Sequence, residues 1–312
     1  MNRIPLSMLG RTKLQVSKLG YGAMELRGGR RRLASSDAVA RLLNGVLDAG
    51  INFIDTSPDY GVSEELIGQH IAHRRAEFYL ASKCGCPIDL APAASGERPS
   101  HVFTRANVRA GVERSLRRMR TDHLDLVQFH ISPSRGVLEE NDSIEELREL
   151  QRAGKVRFIG MSGTLPNLID HIAMGVFDAF QIPYSALERQ HETAIRDAAR
   201  SGAGIIIRGG VARGMPVASA EDLARMPEIF RRAVEGRRGL WDIAGIDELL
   251  GGMSRMDFML RFTISHPEMS TTIVGTANLD HLTANVAAAR LGPLPDDVYA
   301  EAKRRLSTAA AA

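Results

Sequence analysis

Four residues able to do chemistry stand at or just beyond the ends of three apolar runs. Asp55 and Tyr60 lie in INFIDTSPDYG (51–61), Lys83 closes EFYLASK, and His130 closes LDLVQFH. An ionised group at the end of a buried segment is costly unless it is paired. Asp55 and Lys83 are therefore expected on neighbouring strands, as an ion pair. Tyr60 follows Asp55 by one short loop and can fold back over the same spot. A phenol has an ordinary pKa of about 10, and an ammonium beside it favours the phenolate. The expectation is a lowered pKa, giving a proton donor better matched to neutral pH. With His130 donating a hydrogen bond to the same oxygen, the set suits protonation of a substrate oxygen while a nucleophile adds to its carbon. No activated serine or cysteine stands out as that nucleophile. A hydride from a cofactor would fill the role.

What must position these residues is a rhythm of short β-rich runs and longer helical stretches, which predicts βα units and a parallel sheet. The candidate strands begin at Lys18 (KLGYGAM), Ile51, Glu77, Leu124, Val156 (VRFIGMS), Ala179 (AFQIPYS), Gly204 (GIIIRG) and Thr271 (TTIVGT). Helices are expected in SDAVARLLNGVLDAG, with a cap at Ser36 or Asp37 and a stop at Gly50, and in TRANVRAGVERSLRRM, NDSIEELRELQRAGK and Leu279–Arg290. Eight such units in 312 residues predict an α/β fold, a closed (β/α)8 TIM barrel forming a single domain over 1–312. An open doubly wound sheet is the alternative. Its glycine fingerprint fails, because Glu25 follows Gly20 and Gly22 where a third glycine belongs, and Ile207 follows Gly202 and Gly204. The stretch IPLSMLGRTKLQVS reads as an N-terminal β-hairpin. The segment from Ala212 to Gly252 breaks the rhythm as a long loop after strand seven, expected to carry short helices and Trp241.

In such a barrel the strands' C-terminal ends form the active face. Their last polar residues are Asp55, Lys83, His130, Ser162, Gln181 and Arg208. These six are expected to surround one cavity.

Composition narrows the function classes. Hydrophobic residues make up 44% and charged residues 25%, as in ordinary globular chains, and no apolar run could span a bilayer. The N-terminus has no secretory pattern, so a cytoplasmic location is expected. The net charge of +3 and the absence of basic stripes with interleaved aromatics argue against a nucleic-acid partner. The basic cluster RGGRRR (27–32) reads as a solvated loop or an anion-steering rim. Cys84 and Cys86 are too few for a disulfide scaffold, and with His70 and His73 they match no standard zinc spacing, so no metal is expected.

The segment DTSPDYGVSEELIG, with Lys83 after YLAS and His130 after LDLVQF, resembles the aldo-keto reductase family over roughly Val16 to Ala289. Asp55, Tyr60, Lys83 and His130 match that family's catalytic tetrad. The resemblance implies the (β/α)8 barrel and reversible NAD(P)H-dependent reduction of an aldehyde or ketone, a small-molecule carbonyl substrate. It also implies cofactor contacts. Ser162 and Gln181 would hold the nicotinamide carboxamide, although the family's asparagine after the serine is Gly163 here. Arg208, Gly209, Gly210 and Val211 replace the family's aromatic-Ser-Pro-Leu, and the Arg208 guanidinium plane could stack on the nicotinamide ring. Gly22 and Ala23 belong to the same set. In IVGTANLDHLTAN, Gly275, Thr276, Asn278, His281 and Asn285 match the adenosine-phosphate site, with phosphate at a helix N-terminus. Asn278 stands where NADPH-preferring members often carry a cation, and Arg213 could compensate. NADPH is expected with modest preference, NADH being the alternative. Met24, Tyr60, the residues after His130 and Trp241 would line the substrate pocket, suiting a medium-sized, partly apolar carbonyl compound. A second reading, motivated by Gly163 and Arg208, is a regulatory relative that binds cofactor with little or no turnover. A third is an unrelated barrel enzyme, such as a phosphosugar isomerase or a metal-dependent lyase.

Overall fold

The computed structural model describes residues 3–28, 35–88, 101–211 and 228–311. A two-stranded antiparallel hairpin, β1 (Leu6–Met8) and β2 (Gln15–Ser17), precedes eight further strands. These are β3 (Leu19–Gly22), β4 (Phe53–Asp55), β5 (Tyr79–Cys84), β6 (Leu124–Phe129), β7 (Val156–Ser162), β8 (Ala179–Pro183), β9 (Gly204–Arg208) and β10 (Thr271–Val274). They pair in parallel, in chain order, and β10 returns to β3 to close the barrel. All eight expected strands are present, and the open-sheet alternative is excluded. Among the described residues no helix is long and apolar enough to cross a membrane.

Strand side chains alternate between two faces, and the buried residues divide accordingly. Ile54, Leu80, Val127, Ile205 and Ile207 pack outward with helix residues such as Leu43 and Val112. Phe53, Ala81, Leu126, Ala179 and Ile206 point inward and pack with Leu9, Leu14 and Val16 of the hairpin. The hairpin thus plugs the end where the strands begin. Its turn makes a backbone-to-backbone approach: Gly10 has φ +50°, and a Cβ there would lie 2.2 Å from the Gly204 nitrogen. Only glycine permits that seat.

The helices follow the expected segments with local adjustments. The first, α1 (Ser36–Asp48), is capped by Ser35, whose hydroxyl accepts from the Ala38 N–H, one residue before the expected cap. The second, α2 (Ser63–His70), ends at His70, and α3 (Arg105–Met119) starts from a Thr104 cap. Instead of short helices alone, the segment after β9 contains a 16-residue helix, Glu228–Ile243. Helix Leu279–Arg290 falls on its expected bounds.

Candidate active site

Two residues above the apolar lumen ring, the same strands turn polar. Asp55, Lys83, Gln128, Gln181 and Arg208 succeed Phe53, Ala81, Leu126, Ala179 and Ile206. The expected ion pair forms: Lys83 Nζ donates to Asp55 Oδ2 at 2.7 Å and to the Thr56 carbonyl at 2.9 Å. Both side chains are fully buried. Asp55 Oδ1 accepts from Gln128 Nε2 at 2.9 Å and from Gln181 Nε2 at 2.8 Å. The Ser162 hydroxyl donates to Gln181 Oε1 at 3.3 Å. A buried carboxylate is thereby paired and hydrogen-bonded on both oxygens, the condition under which burial is tolerated. Burial opposes the Lys83 charge, but the Asp55 carboxylate holds its pKa above the ordinary value.

Tyr60 folds back over this pair, as its place after a short loop predicts. Lys83 Nζ lies 5.3 Å from the centre of its ring. The lowered pKa does not follow. Burial pushes the phenol up, and the opposing pull of Lys83 is smaller, with Asp55 and Asp59 adding to the rise. The physical reason is that desolvation of the phenolate in this poorly hydrated site outweighs the Lys83 charge, which the Asp55 carboxylate beside it partly offsets. Tyr60 is therefore protonated at neutral pH.

His130 lies one residue past β6, its N–H bonded to the Cys84 carbonyl at 3.1 Å, and its ring stands edge-on to Tyr60 at 6.3 Å. Burial pulls its pKa down, outweighing the hydrogen bond to Asp59. Around its Nδ1 gather three groups that strand-end reading did not single out: Asp59 Oδ2 at 3.2 Å, His101 Nε2 at 3.2 Å and Cys86 Sγ at 3.4 Å. Burial works against the Asp59 charge, yet the bonds to His101 and His130 hold its carboxyl well below the usual range. Gln128 was also missed. It sits two residues before His130, and the period of two along a strand was the signal that could have found it.

The residues matched to a cofactor lie along one side of the mouth. Ser162 and Gly163 are buried; a side chain at Gly163 would press on Leu168 and Met161 at 3.0–3.2 Å. Arg208, Gly209 and Val211 form a half-buried ledge at the end of β9, with Gly210 buried beneath, and a Cβ on Gly209 would meet open space. Gly22 and Ala23 are buried at the end of β3, across β10 from it, and the Gly22 carbonyl would lie 2.7 Å from a Cβ at Gly275. Gly275 and Asn278 are exposed; Thr276 is buried, its carbonyl accepting from the Tyr21 hydroxyl at 2.8 Å. Asn278 caps helix Leu279–Arg290 through the Asp280 N–H at 2.7 Å. His281 and Asn285 follow it at one-turn spacing. Met24 is half-buried at the mouth. Arg213 and residues 29–32 of the basic cluster lie outside the described residues.

Trp241 is a correction. It is fully buried, its Nε1 donates to Asp247 at 2.9 Å, and its ring packs edge-on against Phe258. It anchors helix Glu228–Ile243 and exposes no surface for a substrate to touch. An aromatic with one satisfied polar atom is a packing residue of high value, which is why it sits inside. The substrate-pocket role fails on that burial.

The geometry agrees with comparisons to known proteins. A family model for the aldo/keto reductase family matches residues 18–305. The uncharacterised oxidoreductase YqkF of Bacillus subtilis is 26% identical over 302 residues, covering 93% of this chain and 92% of its own. The L-galactose dehydrogenase of Arabidopsis thaliana is 27% identical over 302 residues, covering 92% and 89%. Among solved structures, the holo form of aldo-keto reductase AKR11C1 from Bacillus halodurans superposes with a TM-score of 0.77 at 25% identity, covering 99% of this chain and 96% of that one. This chain belongs to the aldo/keto reductase family and is an NAD(P)H-dependent oxidoreductase.

Proposed function

We propose that this chain reduces an aldehyde or ketone to an alcohol, reversibly, with Tyr60 as the general acid and NADPH as the preferred cofactor. The observation that carries the reading is the buried Lys83–Asp55 pair at 2.7 Å with the Tyr60 ring above it and the His130 ring at 6.3 Å. Ser162, Gln181 and Arg208 would hold a nicotinamide, which would supply hydride for the carbonyl carbon. As negative charge builds on the carbonyl oxygen, the Tyr60 O–H moves its proton to it, a contribution of about 10²–10⁴ in rate. The raised phenol pKa keeps that proton in place at neutral pH, and an alkoxide is basic enough to take it. Lys83 sets the local field and Asp55 fixes Lys83. His130 steadies the same oxygen by a hydrogen bond.

The residues at the mouth fit the cofactor. The Gly275–Asn278 turn, exposed except at Thr276, leads into a 12-residue helix whose N-terminus favours phosphate. Arg208 and Gly209 offer an open ledge for the nicotinamide, with the Ser162–Gln181 pair below it. With Trp241 sealed away, the apolar rim falls to Met24 and to Ile131, which is 56% exposed just after His130. That rim suits a medium-sized, partly apolar carbonyl compound.

The test is NADPH oxidation by purified protein against aromatic aldehydes and diketones, with transfer of deuterium from the nicotinamide C4 into the product alcohol. Deuterated alcohol supports the reading. Cofactor binding without turnover on the whole panel favours the regulatory relative, and matched titrations with tighter NADH binding would overturn the NADPH preference.

A further inference from the structure

Beside Tyr60, four side chains gather one potential ligand atom each. Asp59 Oδ2, Cys86 Sγ, His101 Nε2 and His130 Nδ1 all lie within 4.8 Å of one another. Four of the separations are 3.2 Å (His130–Asp59), 3.2 Å (His130–His101), 3.4 Å (Cys86–His130) and 3.4 Å (His101–Asp59). Hydrogen bonds from His101, His130 and Cys86 to Asp59 account for part of this crowding, but not for the contacts of the His130 nitrogen with His101 and Cys86. A single imidazole nitrogen carries either one proton or one lone pair, yet His130 Nδ1 faces three partners at hydrogen-bond range. Converging lone pairs are what a cation requires. Tetrahedral zinc, with its usual bonds to nitrogen, oxygen and sulfur, sets its ligand atoms about 3.3–3.6 Å apart, close to these four separations, the other two falling within 4.8 Å.

The cluster is also held in place by backbone. The Val102 N–H donates to the Gly85 carbonyl at 2.8 Å, tying His101 to the Cys86 turn, and Asn107 Nδ2 donates to the Cys86 carbonyl at 3.2 Å. Gly85 has φ +88°, and a Cβ there would strike the Phe103 ring at 2.3 Å, so the turn that presents Cys86 needs glycine. The Ser57 hydroxyl donates to Asp59 Oδ1 at 3.1 Å, orienting the other carboxylate oxygen toward the cluster. Cys86 is 3% exposed, while Asp59 reaches solvent and leaves a path of entry.

We propose that Asp59 Oδ2, Cys86 Sγ, His101 Nε2 and His130 Nδ1 bind one zinc ion at the barrel mouth. The thiolate and carboxylate balance its two charges, and the mixed sulfur, nitrogen and oxygen set suits zinc over magnesium or calcium. The Cys86 thiol releases its proton to solvent as the metal binds. Four protein ligands fill a tetrahedron, so the metal clamps the loop that carries Tyr60 to the strand ends. A metal on His130 Nδ1 also leaves the imidazole proton on Nε2, the form able to donate to a substrate oxygen; this last consequence alone rests on the proposed reduction.

Metal content is read without substrate or cofactor, so its outcome is separate from that reading. Protein grown with added zinc and freed of any affinity tag is assayed by elemental mass spectrometry, for wild type, Cys86→Ala and His101→Ala. The expected result is about one zinc per wild-type chain, as for a four-ligand site. Each variant should lose affinity by more than about 10-fold, the smallest loss seen even for residues that only support a ligand. Because a variant can fail to fold, cobalt(II) is added to wild-type protein stripped of metal. Tetrahedral d–d bands with a thiolate-to-cobalt charge-transfer band support the site. Metal-free wild type with no such band on cobalt addition, or zinc retained undiminished in both folded variants, would overturn it.

Discussion

Two rings of side chains lie one above the other in the barrel and come from the same strands, two residues apart. The lower ring, Phe53, Ala81, Leu126, Ala179 and Ile206, is apolar and sealed by the hairpin plug. The upper ring, Asp55, Lys83, Gln128, Gln181 and Arg208, is polar and, from Asp55 to Gln181, joined by hydrogen bonds around one carboxylate. Backbone geometry is the same for both. The difference is what each face must do: the lower ring only has to exclude water, while the upper ring has to hold charge where water is scarce. Stability can be taken from either ring; the buried charge pair beneath the Tyr60 ring belongs only to the upper one.

The largest effects break this comparison most directly. Asp55→Ala leaves a fully buried Lys83 without its partner and should cost about 3–5 kcal/mol. Phe53→Ala empties space in the lower ring and should cost a similar 3–5 kcal/mol. Denaturant unfolding should find the two alike, while turnover below the melting range survives only in Phe53→Ala. The double replacement Asp55→Leu with Lys83→Met removes both charges. It should recover most of the lost stability and none of the activity; recovered turnover would erase the distinction between the rings.

A pH series sharpens the point. The folded Lys83 pKa is raised above its ordinary 10.5. The unfolded chain therefore gives up this proton first as pH rises. The pair's contribution is whole below that ordinary value and is lost as pH climbs through the folded one. Wild type should lose stability in that alkaline window more steeply than the double replacement, and parallel curves would count against a charged pair. The smallest effect belongs to Gln128→Leu. It deletes a hydrogen bond to Asp55, but Gln128 Oε1 is buried without a hydrogen-bond partner. Loss and relief should nearly cancel, leaving a change within about 1 kcal/mol by the same unfolding measurement.

The barrel was legible in the sequence because strands buried on both faces leave continuous apolar runs, and GIIIRG or TTIVGT can hardly be anything else. The Asp55–Lys83 pair was legible for a related reason, since charge at the end of such a run demands a partner. Helix Glu228–Ile243 was harder to see as one element, because Gly236 and Gly239 interrupt it and each lowers helix propensity by about 1 kcal/mol. The burial of Trp241 depends on that helix, so its pocket role was misread along with it. The direction of the Tyr60 shift was misread because a sequence shows the neighbouring lysine but not the desolvation that outweighs it. The meeting of Asp59, Cys86, His101 and His130 has no local spacing at all. They come from loops after three successive strands, and only the side-by-side pairing of β4, β5 and β6 brings them together.

The most direct measurement is turnover by Tyr60→Phe, with NADPH affinity determined on the same preparation. The kcat should fall about 10²–10⁴-fold while cofactor affinity stays near the wild-type value, since the ring remains and only its hydroxyl is gone. Unchanged turnover in Tyr60→Phe would mean that the phenol over Lys83 is not the acid, and the central claim would fail.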